Sequence, residues 1–242
     1  MSDTVDLPLR LKGNYYAQPG FFTTDPATGV TRTPTKSRIC AVTNDFVTGF
    51  RDAVIFECGK SYRRVLKAVG RRWGVQFIKR FDTEISAYYQ TPLAELSTGI
   101  VHTCLADAFN YHGWGKLRID FTLLDRGVVL IDLRNSMMPA LVPESDRPVD
   151  LMMAGMLGAI FSHLSGQALE AVQTDCPSQG AESCKFLIAS TPAIAEIEAW
   201  LNKSVPNTTI PHDAILKRLL SLTDPGPAAE ESTATATAED RA

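Results

Sequence analysis

Residues Asp150 to Ala189 read DLMMAGMLGAIFSHLSGQALEAVQTDCPSQGAESCKFLIA, and this stretch decides the fold. Its first half keeps Met152, Met156, Ile160 and Leu164 on one side of a helical repeat, which predicts a helix over about residues 149–165. Gly155 and Gly158 lie inside it. Their missing side chains let a neighbouring element come close, at a cost in helix propensity. Beyond Gly166 the pattern changes. Ala168 to Thr174 and Cys184 to Ala189 read as two strands joined by a loop containing Gly180.

Working outward, the same two periods recur. Leu117, Ile119 and Phe121 alternate with polar residues, Asp125-Arg126-Gly127 makes a turn, and Val128 to Leu133 is a second apolar run. Together they predict a β-hairpin. Helices are expected at about 44–57, at about 60–80 through Tyr62, Val65, Val69, Trp73 and Phe77, and from Pro92 through Leu93, Leu96, Ile100 and Cys104 to Tyr111. Pro143 and Pro148 bracket a loop, and Pro192 to Leu201 and Ala214 to Leu222 are closing helices. The expected class is α+β, an antiparallel sheet packed with helices. Residues 1–38 read as an N-terminal arm with one short strand at Leu7–Leu11. Residues 39–222 form the domain. From Thr223 the Pro, Ala, Thr and Glu composition predicts a disordered tail, 223–242.

The bulk numbers exclude several classes. The chain has 242 residues, 45% of them apolar, and a formal charge of −3. That permits a sizeable core and gives no general attraction to nucleic acid. No apolar run approaches the roughly 18 residues of a spanning helix. The first ten residues lack an apolar secretion segment. Five scattered cysteines do not form a disulfide framework, so a cytoplasmic location is expected. One charge feature stands out. Lys60, Arg63, Arg64, Lys67, Arg71, Arg72, Lys79 and Arg80 fall in a stretch with no acid between Glu57 and Asp82. It is either a dock for an acidic partner, a phosphate-bearing ligand or anionic lipid, or a face balanced by acids elsewhere in the fold.

Asp150 to Ala189, with Cys176, Gly180, Cys184 and Phe186 after a glycine-containing helix, resembles the C-terminal half of the 4-vinyl-reductase domain. Gly113-Trp114-Gly115, between a helix and a strand, is similar to that family too. The resemblance covers about residues 45–190. The family includes proteins linked to bacteriochlorophyll synthesis and the sensor domains of aromatic-responsive bacterial activators. Its fold is similar to that of trafficking-particle subunits and haem-based nitric-oxide sensors. The resemblance implies an apolar pocket, a small hydrophobic or aromatic ligand, and a homodimer.

It also implies residues. The pocket walls are expected from His102 and Leu105 on one helix, Phe121 and Val129 on the hairpin, and Met156 and Ile160 on the glycine-containing helix. His102 is the candidate orienting group, because a neutral imidazole both donates and accepts. For metal, the aromatic-sensor branch holds zinc through the two cysteines, a glutamate three residues earlier and a cysteine opening the preceding helix. Here those positions are Cys176, Cys184, Gln173 and Asp150. The seven residues between the cysteines are not the short spacing of a zinc knuckle, and two reduced thiols are the other reading.

No catalytic constellation is visible. The chain lacks a phosphate-binding glycine loop, a nucleophile elbow and any nicotinamide or flavin fingerprint. The expected function is ligand binding by a sensor or carrier. The alternatives are an accessory or enzyme component of a tetrapyrrole or catabolic pathway, and a dimeric adaptor docking through the basic helix.

Overall fold

The computed structural model describes residues 13–203 and 209–223. Strands β1 (Thr23–Asp25), β2 (Val30–Arg32) and β3 (Arg38–Ile39) come first, followed by helices α1 (Asn44–Cys58), α2 (Tyr62–Tyr89) and α3 (Thr98–Tyr111). Then come β4 (Lys116–Asp120), β5 (Val129–Arg134), α4 (Met137–Leu141), α5 (Leu151–Ser165), β6 (Leu169–Asp175), β7 (Cys184–Ser190), α6 (Thr191–Lys203) and α7 (His212–Thr223). The main sheet has the order β4-β5-β7-β6 and is antiparallel throughout. The expected α+β class, hairpin and C-terminal strand pair are all present. The strand expected at Leu7–Leu11 and the tail beyond Thr223 lie outside the described residues.

Alternation sorts the sheet residues between two layers. On one face Leu117, Ile119, Val129, Ile131, Leu133, Cys184, Phe186 and Ile188 pack against α2, α3 and α5. On the other, Val172, Leu187 and Ala189 pack against Ile194, Ile197, Ile215 and Leu219 of α6 and α7. β7 is therefore buried on both faces, which explains its nearly unbroken apolar sequence.

α2 is one continuous helix of 28 residues, longer than expected, and Gly70 and Gly74 do not interrupt it. They face α5. A Cβ on Gly70 would lie 1.9 Å from the Met152 carbonyl oxygen, and one on Gly155 would lie 2.0 Å from the Lys67 carbonyl oxygen. The helices touch backbone to backbone. The basic face of α2 is partly turned inward. Lys67 bridges Glu198 and Glu170, Arg71 also meets Glu170, and Arg80 meets Glu84.

One sequence expectation needs correction. The helix placed from Leu93 starts at Thr98, after a single 3-10 turn at Leu93–Glu95, because the Ser97 side chain caps it by accepting from the Ile100 N–H. The loop bracketed by Pro143 and Pro148 is present, and the short helix α4 precedes it. His112 ends α3 as a neutral ring. Burial lowers its pKa, its Nδ1 lies 2.7 Å from the Ala108 oxygen, and Arg80 lies 3.3 Å from Nε2. A neutral ring donating from Nδ1 and accepting at Nε2 satisfies both contacts.

The first described residues pack tightly onto the domain. Tyr15, Tyr16 and Phe21 are buried in the main core, and Thr35 and Ser37 donate to the buried Glu84 carboxylate at 2.8 and 2.6 Å. Strands β1 and β2 of the meander lie between these anchors in sequence, and β3 follows them directly.

The helix contact makes a sharp prediction. Gly155→Ala should cost about 3 kcal/mol or more, because the new methyl overlaps backbone that cannot turn aside. Gly49→Ala, inside α1 with nothing within 4 Å of its Cβ, should instead gain up to about 1 kcal/mol. Urea unfolding of the two variants measures both; equal effects would mean that α2 and α5 are not in close contact.

Candidate functional site

The glycines flanking Trp114 place its side chain. Gly115 has φ 119°, and a Cβ there would lie 2.5 Å from the Arg134 carbonyl oxygen, so only glycine carries the chain from α3 into β4 at this point. Trp114 thereby enters a ring of aromatic neighbours. Trp73 stands edge-on to it with ring centroids 4.8 Å apart, and Phe77, Phe109 and His112 lie at 5.2, 5.4 and 4.6 Å.

A cleft of about 30 Å³ opens beside the two tryptophans, walled by Met137, Met138, Met152 and Met153 and bordered by Ser136 and Asp150. Methionines adapt their shape to an irregular occupant, and tryptophan faces accept flat apolar surface. The polar edge is unusual, because Asp150 is only 2% exposed. Ser136 Oγ donates to its Oδ2, and its N–H donates to Gln173 Oε1 at 2.8 Å. Burial raises the Asp150 carboxyl to about 6 against the lowering effect of the Ser136 hydrogen bond.

Cys176 and Cys184 complete this cluster. Both are free and buried, and Cys184 Sγ lies 3.9 Å from Asp150 Oδ2. The two thiols titrate as a pair. The hydrogen bond between them raises Cys184 and lowers Cys176, and burial raises both. The four positions that the family resemblance implied for zinc, Asp150, Gln173, Cys176 and Cys184, thus belong to one buried neighbourhood. Among the described residues no group of three His, Cys, Asp or Glu could hold a metal. Gln173 turns its oxygen to the Asp150 N–H and its amide nitrogen to the Asp175 carbonyl.

The six residues expected as pocket walls are placed differently. Leu105, Val129, Met156 and Ile160 are buried in the main apolar core. Phe121 packs at its edge, and His102 stands edge-on to Phe121 with centroids 6.2 Å apart. Burial lowers the His102 pKa, which keeps the ring neutral. None of the six lines the cleft. Sequence reasoning did not bring Trp73 and Trp114 together. The available signal was a tryptophan held between two glycines.

Residues 130–190 match the family model of the 4-vinyl-reductase domain. That segment runs from β5 through α5 to the end of β7 and bears out the resemblance to 4-vinyl-reductase proteins. No curated protein matches the chain. Among solved structures, the phenol-responsive sensory domain of the transcription activator PoxR is similar at 15% identity and a TM-score of 0.58, covering 85% of this chain and 100% of that one. A vinyl-4-reductase family protein from Methanocaldococcus jannaschii is similar at 19% identity and a TM-score of 0.42, with coverages of 62% and 82%. Trafficking protein particle complex subunit 3 from Naegleria fowleri, covalently bound to palmitic acid, is similar at 13% identity and a TM-score of 0.43, with coverages of 60% and 93%. The match to the PoxR domain shows a shared fold. Among the described residues no helix is long and apolar enough to cross a membrane.

The buried carboxyl yields a pH prediction. Its folded pKa of about 6 lies above the unfolded value of about 3.9, so the folded chain holds the proton more tightly. The stability this contributes is complete below about pH 4 and is lost as the pH rises through about 6. Between those limits the native chain should lose on the order of 3 kcal/mol relative to Asp150→Asn. Paired urea titrations across that range test it, and parallel profiles would show that the carboxyl is not held in this buried state.

Proposed function

We propose that this chain is a ligand-binding module of the 4-vinyl-reductase type, a sensor or carrier, that takes a small hydrophobic or aromatic molecule at the Trp73–Trp114 cleft. The observation that carries the reading is the cleft's composition: two half-buried tryptophans and four methionines facing one buried carboxyl with its serine partner. Few polar groups in an apolar frame is the usual make-up of a small-molecule site. The PoxR domain, whose fold this chain shares, is phenol-responsive, and the cleft offers a phenolic hydroxyl an acceptor at Asp150.

At about 30 Å³ the cleft has room for a water or two, so an aromatic ligand has to open it. The side chains to be displaced are the methionines. Met153 belongs to the same core cluster as Leu105, Val129, Met156 and Ile160, so those residues back the opened site. Phenol should change the tryptophan emission and bind with 1:1 stoichiometry. Trp114→Ala should weaken it about tenfold, and toluene should bind more weakly than phenol by about 1–3 kcal/mol, the cost of leaving a buried acceptor unpaired. If His102→Ala abolishes that preference while Asp150→Asn preserves it, His102 and not Asp150 orients the ligand. Absence of binding by phenol, toluene and a tetrapyrrole would end the reading.

A specific observation favours a homodimer as the assembly. α1 buries only Val47, while Phe46 and Phe56 are 60% and 84% exposed, and Val42 just before the helix is 54% exposed. Large apolar groups gathered on and beside one exposed helix mark an interaction surface. Light scattering should report a dimer for the native chain and half that mass for a Phe46→Asp, Phe56→Asp double variant. A native monomer would refute it.

A further inference from the structure

We infer a second ligand site, separate from the aromatic cleft, that binds an organic phosphate monoester with an aliphatic body. It is a groove of about 480 Å³ between the start of α2, the edge of β6 and helices α6 and α7. That volume is within the usual range for small-molecule sites, unlike that of the cleft.

Its walls carry five cations, Lys60, Arg63, Arg64, Lys67 and Arg147, against two acids, Asp146 and Glu198. Glu198 is engaged by Lys67 at 2.6 Å. Arg63 donates to the Pro148 carbonyl at 3.0 Å, which orients the guanidinium without neutralising it. Arg147 reaches the Asn202 side-chain oxygen at 3.5 Å, again a neutral acceptor. Lys60 and Arg64 are exposed at the rim. The groove therefore has a net charge of +3 in a chain of −3. A concave wall of low dielectric concentrates that field on whatever enters. Guanidinium forks match phosphate oxygens two at a time, and a doubly charged head uses more of the excess than a carboxylate does.

The rest of the lining sets the body of the ligand. Leu151, Val172, Leu201, Ile210 and Ile215 supply apolar surface, and no aromatic ring lines the groove among the described residues. An alkyl chain fits such a surface, while a flat ring has nothing to stack on. The walls are also mostly regular structure. Leu151 begins α5, Val172 lies in β6 and Leu201 in α6, so the groove is framed by elements packed into the two cores.

The test uses the full chain and octyl phosphate below its micelle threshold, followed by titration calorimetry. Octyl phosphate should bind 1:1. Inorganic phosphate, the head alone, and octanol, the body alone, should each bind at least about tenfold more weakly. Arg64→Gln and Arg147→Gln should each weaken octyl phosphate about tenfold, and raising salt from about 0.01 to about 1 M should weaken it further. Arg64 is exposed, so its variant keeps the test valid even if Arg147→Gln misfolds. Excess phenol should not displace octyl phosphate, which separates this site from the cleft. Equal binding of octanol and octyl phosphate, or indifference to Arg64→Gln, would overturn the site. So would co-sedimentation with phosphatidate-containing vesicles by a chain that ignores octyl phosphate, since the cations would then serve a membrane surface.

Discussion

The structure depends on one contact, the backbone of α2 against the backbone of α5. Helices normally keep about 8–10 Å between axes because side chains hold them apart. Gly70, Gly74 and Gly155 remove those side chains, and Gly158 does the same towards β6, where a Cβ would lie 3.2 Å from the Ala171 nitrogen. α5 is thus clamped between a long helix and the sheet. Its large side chains have to leave sideways. Met152 and Met153 go to the tryptophan cleft, and Met156, Leu157 and Ile160 go to the core. The four glycines cost helix propensity, and the burial of α5 on nearly all sides offsets that cost.

The clamp also fixes where the buried polar groups fall. With α5 pinned, the residue just before its start, Asp150, lies below the surface and needs partners there. Ser136 arrives from the turn after β5, Gln173 from β6, and the two cysteines from the β6–β7 connection and the start of β7. An acid raised to about 6 is what such a place produces when no cation is at hand. Elsewhere the chain treats a buried acid differently. Glu84, equally buried, has Arg80 as well as the hydroxyls of Thr35 and Ser37.

Much of this was legible from residue pattern, and the limits have physical causes. Leu117, Ile119, Ile131 and Leu133 alternate because one face of the hairpin is buried, and Gly155 and Gly158 announce a close neighbour without naming it. The meander β1-β2-β3 was invisible. Its strands are two or three residues long and mostly exposed, too short to show a period. The break at Ser97 turns on a single capping hydroxyl within an otherwise helical pattern. The site was harder still. Leu105, Val129, Met156 and Ile160 have the same chemistry whether they wall a cavity or fill a core, so sequence cannot separate the two. Trp73 and Trp114 are far apart along the chain and meet only because α2 runs past the end of α3. The zinc positions show the converse. Their grouping was implied by resemblance and the fold does gather them, with the Gln173 amide engaged by the Asp150 N–H and the Asp175 carbonyl.

The two cavities are joined through one turn of helix. Leu151 and Ala154 face the basic groove, and Met152 and Met153 face the cleft, as the helical period requires of residues on opposite sides of α5. The link is tighter than shared backbone. Asp150 borders the cleft, Gln173 borders the groove, and the hydrogen bond from the Asp150 N–H to Gln173 Oε1 runs between them. A ligand that opened the cleft by moving Met152 and Met153 would act on this first turn. The turn cannot shift towards the groove without compressing it. Nor can it shift towards α2, where Met152 and Gly155 already meet backbone. The remaining freedom is rotation about the helix axis, which would carry Asp150 away from Gln173. The groove's floor and the cleft's polar edge therefore share one bond, that from the Asp150 N–H to Gln173 Oε1.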